Sequence, residues 1–174
     1  MHYFQFPISV NLIFVLFIYI ILVDIIRFEG YMGRRQKAED LFHNGYNCAQ
    51  SVVLAYADVM EVDETILAQM SAPLGGGIGR LREVCGAVSG GVMVISMLTG
   101  LDTLIPEEKS RLYALERKFA EIFKDRAGSY ICRDLIEKHP HADTHNSKKP
   151  ACQQLVGLAV EIIEEILLHL DGEE

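Results

Sequence analysis

The sequence has no long run of Lys or Arg: 16 basic residues stand against 24 acidic ones, for a formal charge of −8. A chain with that balance lacks the positive footprint of a general nucleic-acid binder. It also lacks the composition of a disordered protein, since half of its 174 residues are hydrophobic and only 23% are charged. The length suits one domain with a single well-buried core. No useful stretch alternates with period two, no repeat or low-complexity tract occurs, and neither C-x-x-C nor C-x-x-C-H is present. Those absences argue against a β-rich fold, local zinc-ribbon or thioredoxin-type sites, and covalent haem attachment.

The hydrophobic half is unevenly spread. Residues 1–31 hold 22 apolar positions, which leaves the remainder at roughly 45%, an ordinary value for a soluble domain. The excess lies in Phe4–Val23, FQFPISVNLIFVLFIYIILV, a charge-free run long enough to cross a bilayer as a helix. A cleaved secretory signal is disfavoured, because no Lys or Arg precedes the run and no small-residue cleavage pattern follows it. Two readings stay open. In one, the run is a membrane anchor, and Arg27, Arg34, Arg35 and Lys37 hold the rest of the chain on the cytoplasmic side. In the other, Met32 of MGRRQKAEDLF is the true start of a soluble cytoplasmic protein. The expected organisation is therefore a hydrophobic segment over 1–31 and a helical domain over 32–174.

Beyond Met32 the pattern is helical throughout. Arg34–Asn44 stops at Gly45, and Asn47 can cap a helix running to about Val59. Asp63 can cap the next, with Ile66, Leu67 and Met70 at helical spacing before Pro73. Glu83 to about Leu98 is apolar and rich in small residues, as suits a central, closely packed helix. Pro106 fits a first turn, followed by Leu112, Leu115, Phe119, Ile122 and Phe123, with Gly128 as the stop. A short helix is expected from Ser129 to Lys138. The last runs from Ala151 to about Leu170, with Leu155, Ala159, Ile162, Ile166 and Leu170 on one face and Glu161, Glu164 and Glu165 largely outside it. The fold class is all-α, a compact helical bundle with an additional N-terminal hydrophobic helix.

Four cysteines carry the chemistry: Cys48, Cys85, Cys132 and Cys152. No two are near enough in sequence to form a local site, so any joint site must be assembled by the fold. Each falls at a predicted helix start and in register with apolar neighbours: Cys48 with Val52 and Ala55, Cys85 with Val88 and Val92, Cys132 with Leu135 and Ile136, Cys152 with Leu155 and Val156. A helix N-terminus favours an anion, so a thiolate there is stabilised and its pKa tends to fall. A single cysteine in such a place is more simply read as core filling. Four in the same setting point to a shared site.

The segments NCAQSVVLAYAD around Cys48, GGGIGRLREVCGAVSGGVMVISMLTG around Cys85, ICRDLI around Cys132 and ACQQLV around Cys152 resemble the C-GCAxxG-C-C family of redox-active proteins. The CGAxxG element reads Cys85, Gly86, Ala87, Val88, Ser89, Gly90, and the resemblance covers about Ala38 to Leu168. It implies redox activity centred on the four cysteines and a partner that is a redox protein or transporter-associated. The family pattern does not require the N-terminal hydrophobic segment.

Four inward-facing thiols admit three uses. They can hold an iron–sulfur cluster or zinc for electron transfer, with all four cysteines as ligands. They can cycle as dithiol/disulfide pairs, Cys85 being expected as nucleophile because the glycine-rich approach exposes it, with another cysteine resolving it. Or they are structural thiols of a non-catalytic, membrane- or transporter-associated accessory protein. Static disulfides are disfavoured in a reducing compartment.

The run Gly75, Gly76, Gly77, Ile78, Gly79, Arg80 is neither a Walker A loop nor a dinucleotide fingerprint. A tight connection between helices is its simpler reading; the other brings its amides or Arg80 to a cofactor or anion near Cys85. His139, His141, Asp143 and His145 form a polar connector that could in principle add ligands, and His43 is an equally weak candidate.

Overall fold

The structure, a computed structural model, describes residues 15, 18, 19, 33–138 and 150–170. The chain divides into two units, Met1–Met32 and Gly33–Glu174. In the first, the described residues Val15, Ile18 and Tyr19 are helical and exposed. The rest of the Phe4–Val23 run, expected above as a membrane helix, lies outside the described residues. Among the described residues no helix is long and apolar enough to cross a membrane.

The second unit is helical. Its described elements are α1 (33–43), α2 (Cys48–Ala55), α3 (Ala57–Met60), α4 (Glu64–Ser71), α5 (Gly86–Thr99), α6 (Pro106–Ala127), α7 (Cys132–Glu137) and α8 (Pro150–Leu170), with a 3-10 turn at Ala72–Leu74. The only extended pairing among the described residues is a single antiparallel bridge between Val84 and Ile131. α5 lies at the centre, touching α2, α6 and α8, while α2 and α6 also touch α8.

Local signals set several helix ends. Asn47 Oδ1 accepts from the Ala49 and Gln50 amides, and Gln50 Oε1 accepts from the Asn47 amide, a reciprocal capping box. Asp63 Oδ1 accepts from Thr65 and Ile66 in the same manner. Gly128, at φ +85°, closes α6 with its amide on the Lys124 carbonyl.

Three elements differ from expectation. The helix expected from Cys48 to Val59 breaks at Tyr56, because the Arg34 guanidinium donates to the Ala55 carbonyl at 3.0 Å and lies over the Tyr56 ring, while the Tyr56 amide turns to Val53. α5 starts at Gly86 rather than Glu83, since the residues around Val84 are drawn into the extended bridge. α7 starts at Cys132, three residues after the cap expected at Ser129; the Ser129 hydroxyl instead donates to Asp134 and accepts from the Ile131 amide.

The core follows the predicted faces except on α4 and on the outer face of α8. Phe119, Phe123, Ile162, Ile163, Val94 and Ile95 are fully buried, and truncating either phenylalanine to alanine would cost about 3–5 kcal/mol. On α4, however, only Leu67 and Ser71 are buried, while Ile66 and Met70 are 50% and 59% exposed. Glu161 and Glu164, expected on the outer face of α8, are half-buried and pair with Arg35 and Arg34 of α1.

Close approach of α5 to its neighbours depends on its glycines. A Cβ on Gly90 would lie 2.9 Å from the Ala49 carbonyl oxygen of α2, and one on Gly91 would enter the Phe119 ring of α6. One on Gly86 would lie 3.1 Å from Cys48 Cβ. The helix that carries the CGAxxG element is thus set tightly against the helix that starts with Cys48.

Candidate functional site

Each cysteine is placed by a different helix start. Cys48 is the first residue of α2, held by the Asn47 cap, whose side-chain amide also donates to the Ala72 carbonyl at 2.9 Å. Gln50 reaches the Ala68 carbonyl at 3.0 Å, so the same capping box ties the start of α2 to the end of α4. Cys85 is the N-cap of α5, Cys132 the first residue of α7, and Cys152 the third residue of α8.

A short backbone ladder joins two of these starts. The Cys85 amide donates to the Tyr130 carbonyl at 2.8 Å, and the Cys132 amide donates to the Glu83 carbonyl at 2.6 Å, on either side of the Val84–Ile131 bridge. In an antiparallel pair, residues flanking a bridge in this way lie on the opposite face from the bridged residues, so Cys85 and Cys132 share one face as diagonal neighbours. Arg133 extends the ladder through its amide to Arg82.

The glycine run braces that ladder. Gly76, Gly77, Ile78, Gly79 and Arg80 all have positive φ, between +55° and +69°, and form a left-handed turn rather than an extended loop. The Arg82 and Glu83 amides donate back to the Gly76 and Gly77 carbonyls. A Cβ on Gly77 would lie 2.8 Å from Cys132 Cβ, so the turn packs directly behind that cysteine. The run is a connection that shapes the site. Ile78, Gly79 and Arg80 are exposed, and Arg80 does not line the cysteine cavity.

All four cysteines line one cavity of about 20 Å³, walled by Leu135, Ile136, Ala151 and Leu155. That is room for roughly one water-sized group. Leu135, Ile136 and Leu155 are the apolar residues that helical register had put beside Cys132 and Cys152. His43 is exposed on α1 and absent from the cavity wall; His139, His141, Asp143 and His145 lie outside the described residues.

Accessibility divides the four into two pairs. Cys85 and Cys132 are 4% and 7% exposed, whereas Cys48 and Cys152 are half-buried. The glycine-rich approach therefore does not expose Cys85, contrary to expectation.

The electrostatics also depart from the sequence argument. A helix N-terminus alone would lower a thiol pKa, and the Ala87 and Val88 amides do favour the Cys85 thiolate. Burial outweighs them, and the Cys85 pKa is pushed up to about 12. The Cys48 pKa is raised well above the usual thiol value, first by a hydrogen bond with Cys152, then by burial and by the other three sulfurs. At neutral pH Cys48 and Cys85 are thiols, not the thiolates expected from helix position.

Four thiols are a donor set suited to zinc or an iron–sulfur cluster. Among the described residues, however, no group of three or more His, Cys, Asp or Glu side chains is arranged to hold a metal ion. Cys48 and Cys152 lie within hydrogen-bonding reach of each other.

No curated protein and no solved structure shows significant similarity to the chain. A family model does match, over residues 46–166, a span that includes all four cysteines and every residue lining the cavity. The chain belongs to the C_GCAxxG_C_C family, described as putative redox-active proteins.

Proposed function

We propose that the protein is a thiol–disulfide redox protein in which Cys152 and Cys48 form the exchanging pair. The observation that carries this reading is the contact between these two cysteines, the more accessible pair of the four around one cavity. The hydrogen bond raises the Cys48 pKa, so Cys48 is assigned the resolving role and Cys152 the attacking one.

The exchange proceeds in two displacements. Cys152, having lost its proton to water or buffer, attacks one sulfur of a disulfide substrate, breaks its S–S bond and releases one substrate thiolate, giving a mixed disulfide. Cys48 then loses its proton and attacks the Cys152 sulfur. The second substrate thiolate leaves, and a Cys48–Cys152 disulfide remains. Two electrons pass to the substrate, whose two thiolates take up the two protons. Leu135, Ile136 and Leu155 give the sulfurs an apolar wall. The partner is accordingly a disulfide-bearing molecule, or in reverse a dithiol reductant.

Purification without oxygen, followed by oxidation with excess oxidised glutathione and peptide mapping, tests this reading. The expected result is a reversible Cys48–Cys152 disulfide in metal-free protein. Stoichiometric zinc, or iron with acid-labile sulfide, bound by thiols that cannot be titrated until the metal is removed, would overturn it in favour of a metal centre.

A further inference from the structure

We infer that the four cysteines act as two dithiols in series, the accessible pair Cys48/Cys152 exchanging with the outside and the interior pair Cys85/Cys132 exchanging only with the accessible pair. The inference rests on the thiol–disulfide reading above and adds a second, internal redox couple.

Three observations carry it. The pairs differ in access: Cys85 and Cys132 are almost fully buried, while Cys48 and Cys152 are half-buried on the wall of the same cavity. The interior pair is also held together, because the hydrogen bonds Cys85 to Tyr130 and Cys132 to Glu83 flank one bridge and put both residues on the same face of it as diagonal neighbours. Finally, the pairs abut around the shared cavity. A Cβ on Gly86, the residue after Cys85, would sit 3.1 Å from Cys48 Cβ, so the absence of a side chain there lets the Cys85 segment approach Cys48. Burial of Cys85 and Cys132 keeps a sizeable disulfide from reaching the interior sulfurs directly.

The transfer balances without a further reagent. Cys85 attacks the Cys48 sulfur of the Cys48–Cys152 disulfide and displaces Cys152 as thiolate. Cys132 attacks the Cys85 sulfur and displaces Cys48. The two protons of the interior thiols pass to Cys48 and Cys152, two electrons move outward, and the oxidised bond moves inward. The accessible dithiol is regenerated, so a second disulfide can be reduced and the protein stores four electrons.

The test is time-resolved mapping of disulfides in the full chain after mixing with oxidised glutathione. In the wild type the Cys48–Cys152 disulfide is expected first and the Cys85–Cys132 disulfide later. In Cys48→Ser, and independently in Cys152→Ser, the interior pair should oxidise more than about tenfold more slowly. Gly86→Ala keeps every thiol and, by crowding Cys48, should slow transfer to the interior more than it slows closure of the accessible pair. Native helical content by circular dichroism is checked for each variant, and three independent variants guard against loss of fold in one. If the accessible disulfide forms but the interior pair oxidises at the wild-type rate in both serine variants, the series arrangement is overturned and the exchange reading survives. If no disulfide forms between Cys48 and Cys152 in the wild type, both fall.

Discussion

Gly90 presses its bare α-carbon against the Ala49 carbonyl of α2, so closely that a Cβ there would lie 2.9 Å from that oxygen and 3.1 Å from Val52 Cβ. Both neighbours are buried and belong to a helix that cannot retreat without moving Cys48. Gly90→Ala should therefore destabilise the fold by about 1–3 kcal/mol despite the better helix propensity of alanine. Urea denaturation checks this, and a stabilised variant would show that α2 and α5 have room to separate. Ser89, half-buried on the same helix, makes the control: Ser89→Ala should change stability by less than about 0.5 kcal/mol.

The raised pKa of Cys85 predicts two pH dependences. Alkylation of Cys85 should be slow at pH 7 and rise about tenfold per pH unit well past pH 9, because only the thiolate reacts and the pKa lies at about 12. Stability should move the opposite way. The unfolded chain loses the Cys85 proton near 9 and the folded chain holds it to about 12, so the folded state binds more protons in that window. The contribution is fully present below pH 9 and is lost as pH rises from 9 to 12. Comparing Cys85→Ala with the wild type by denaturation across this range isolates the effect. An alkylation rate that levels off near pH 9 would contradict the burial argument.

Features of the site that depend on adjacent residues were legible in the sequence, and features that depend on distant partners were not. Asn47 and Asp63 cap their helices because the acceptor and the amides it satisfies lie within three residues of each other. The same locality puts all four cysteines at helix starts. The break at Tyr56 needs Arg34, which is 22 positions away, and the bridge that starts α5 late needs Ile131, which is 47 positions from Val84. A single bridge has no period to detect. The protonation state of Cys85 was misjudged for a related reason: the helix dipole is a local property, whereas the burial that overrides it is set by the whole fold. On α4 the exposure of Ile66 and Met70 could not be inferred from spacing, which gives a face but not whether another element covers it.

Ile78 has φ +57° inside the left-handed turn, a region where a β-branched side chain is crowded by its own backbone. Its side chain is exposed, so little packing compensates. Ile78→Asn should stabilise the protein by about 0.5–1 kcal/mol, since asparagine tolerates this conformation without the unfolded-state entropy of glycine. Thermal unfolding checks the sign. If Ile78→Asn destabilises instead, the isoleucine is held by an apolar contact worth more than the backbone strain.

Arg34 joins α1 to the break between α2 and α3 through three contacts on one guanidinium: the Ala55 carbonyl at 3.0 Å, Asp58 at 2.8 Å, and the Tyr56 ring at 4.9 Å. The Asp58 pair is partly exposed and contributes little by itself. The bond to Ala55 and the stacking on a buried tyrosine make up most of the effect, and Arg34→Ala should cost about 2 kcal/mol. Arg34→Lys keeps the charge but loses the planar fork, so it should recover less than half of that loss. The pair also carries a pH signature. The hydrogen bond to Arg34 holds the Asp58 carboxyl below its usual range, and its contribution is present above the unfolded pKa near 3.8 and lost as pH falls through the lower folded value. Acid unfolding of Arg34→Ala should therefore show a weaker dependence on pH below 4 than the wild type. An unchanged acid profile together with full rescue by lysine would reduce the contact to a simple surface charge pair.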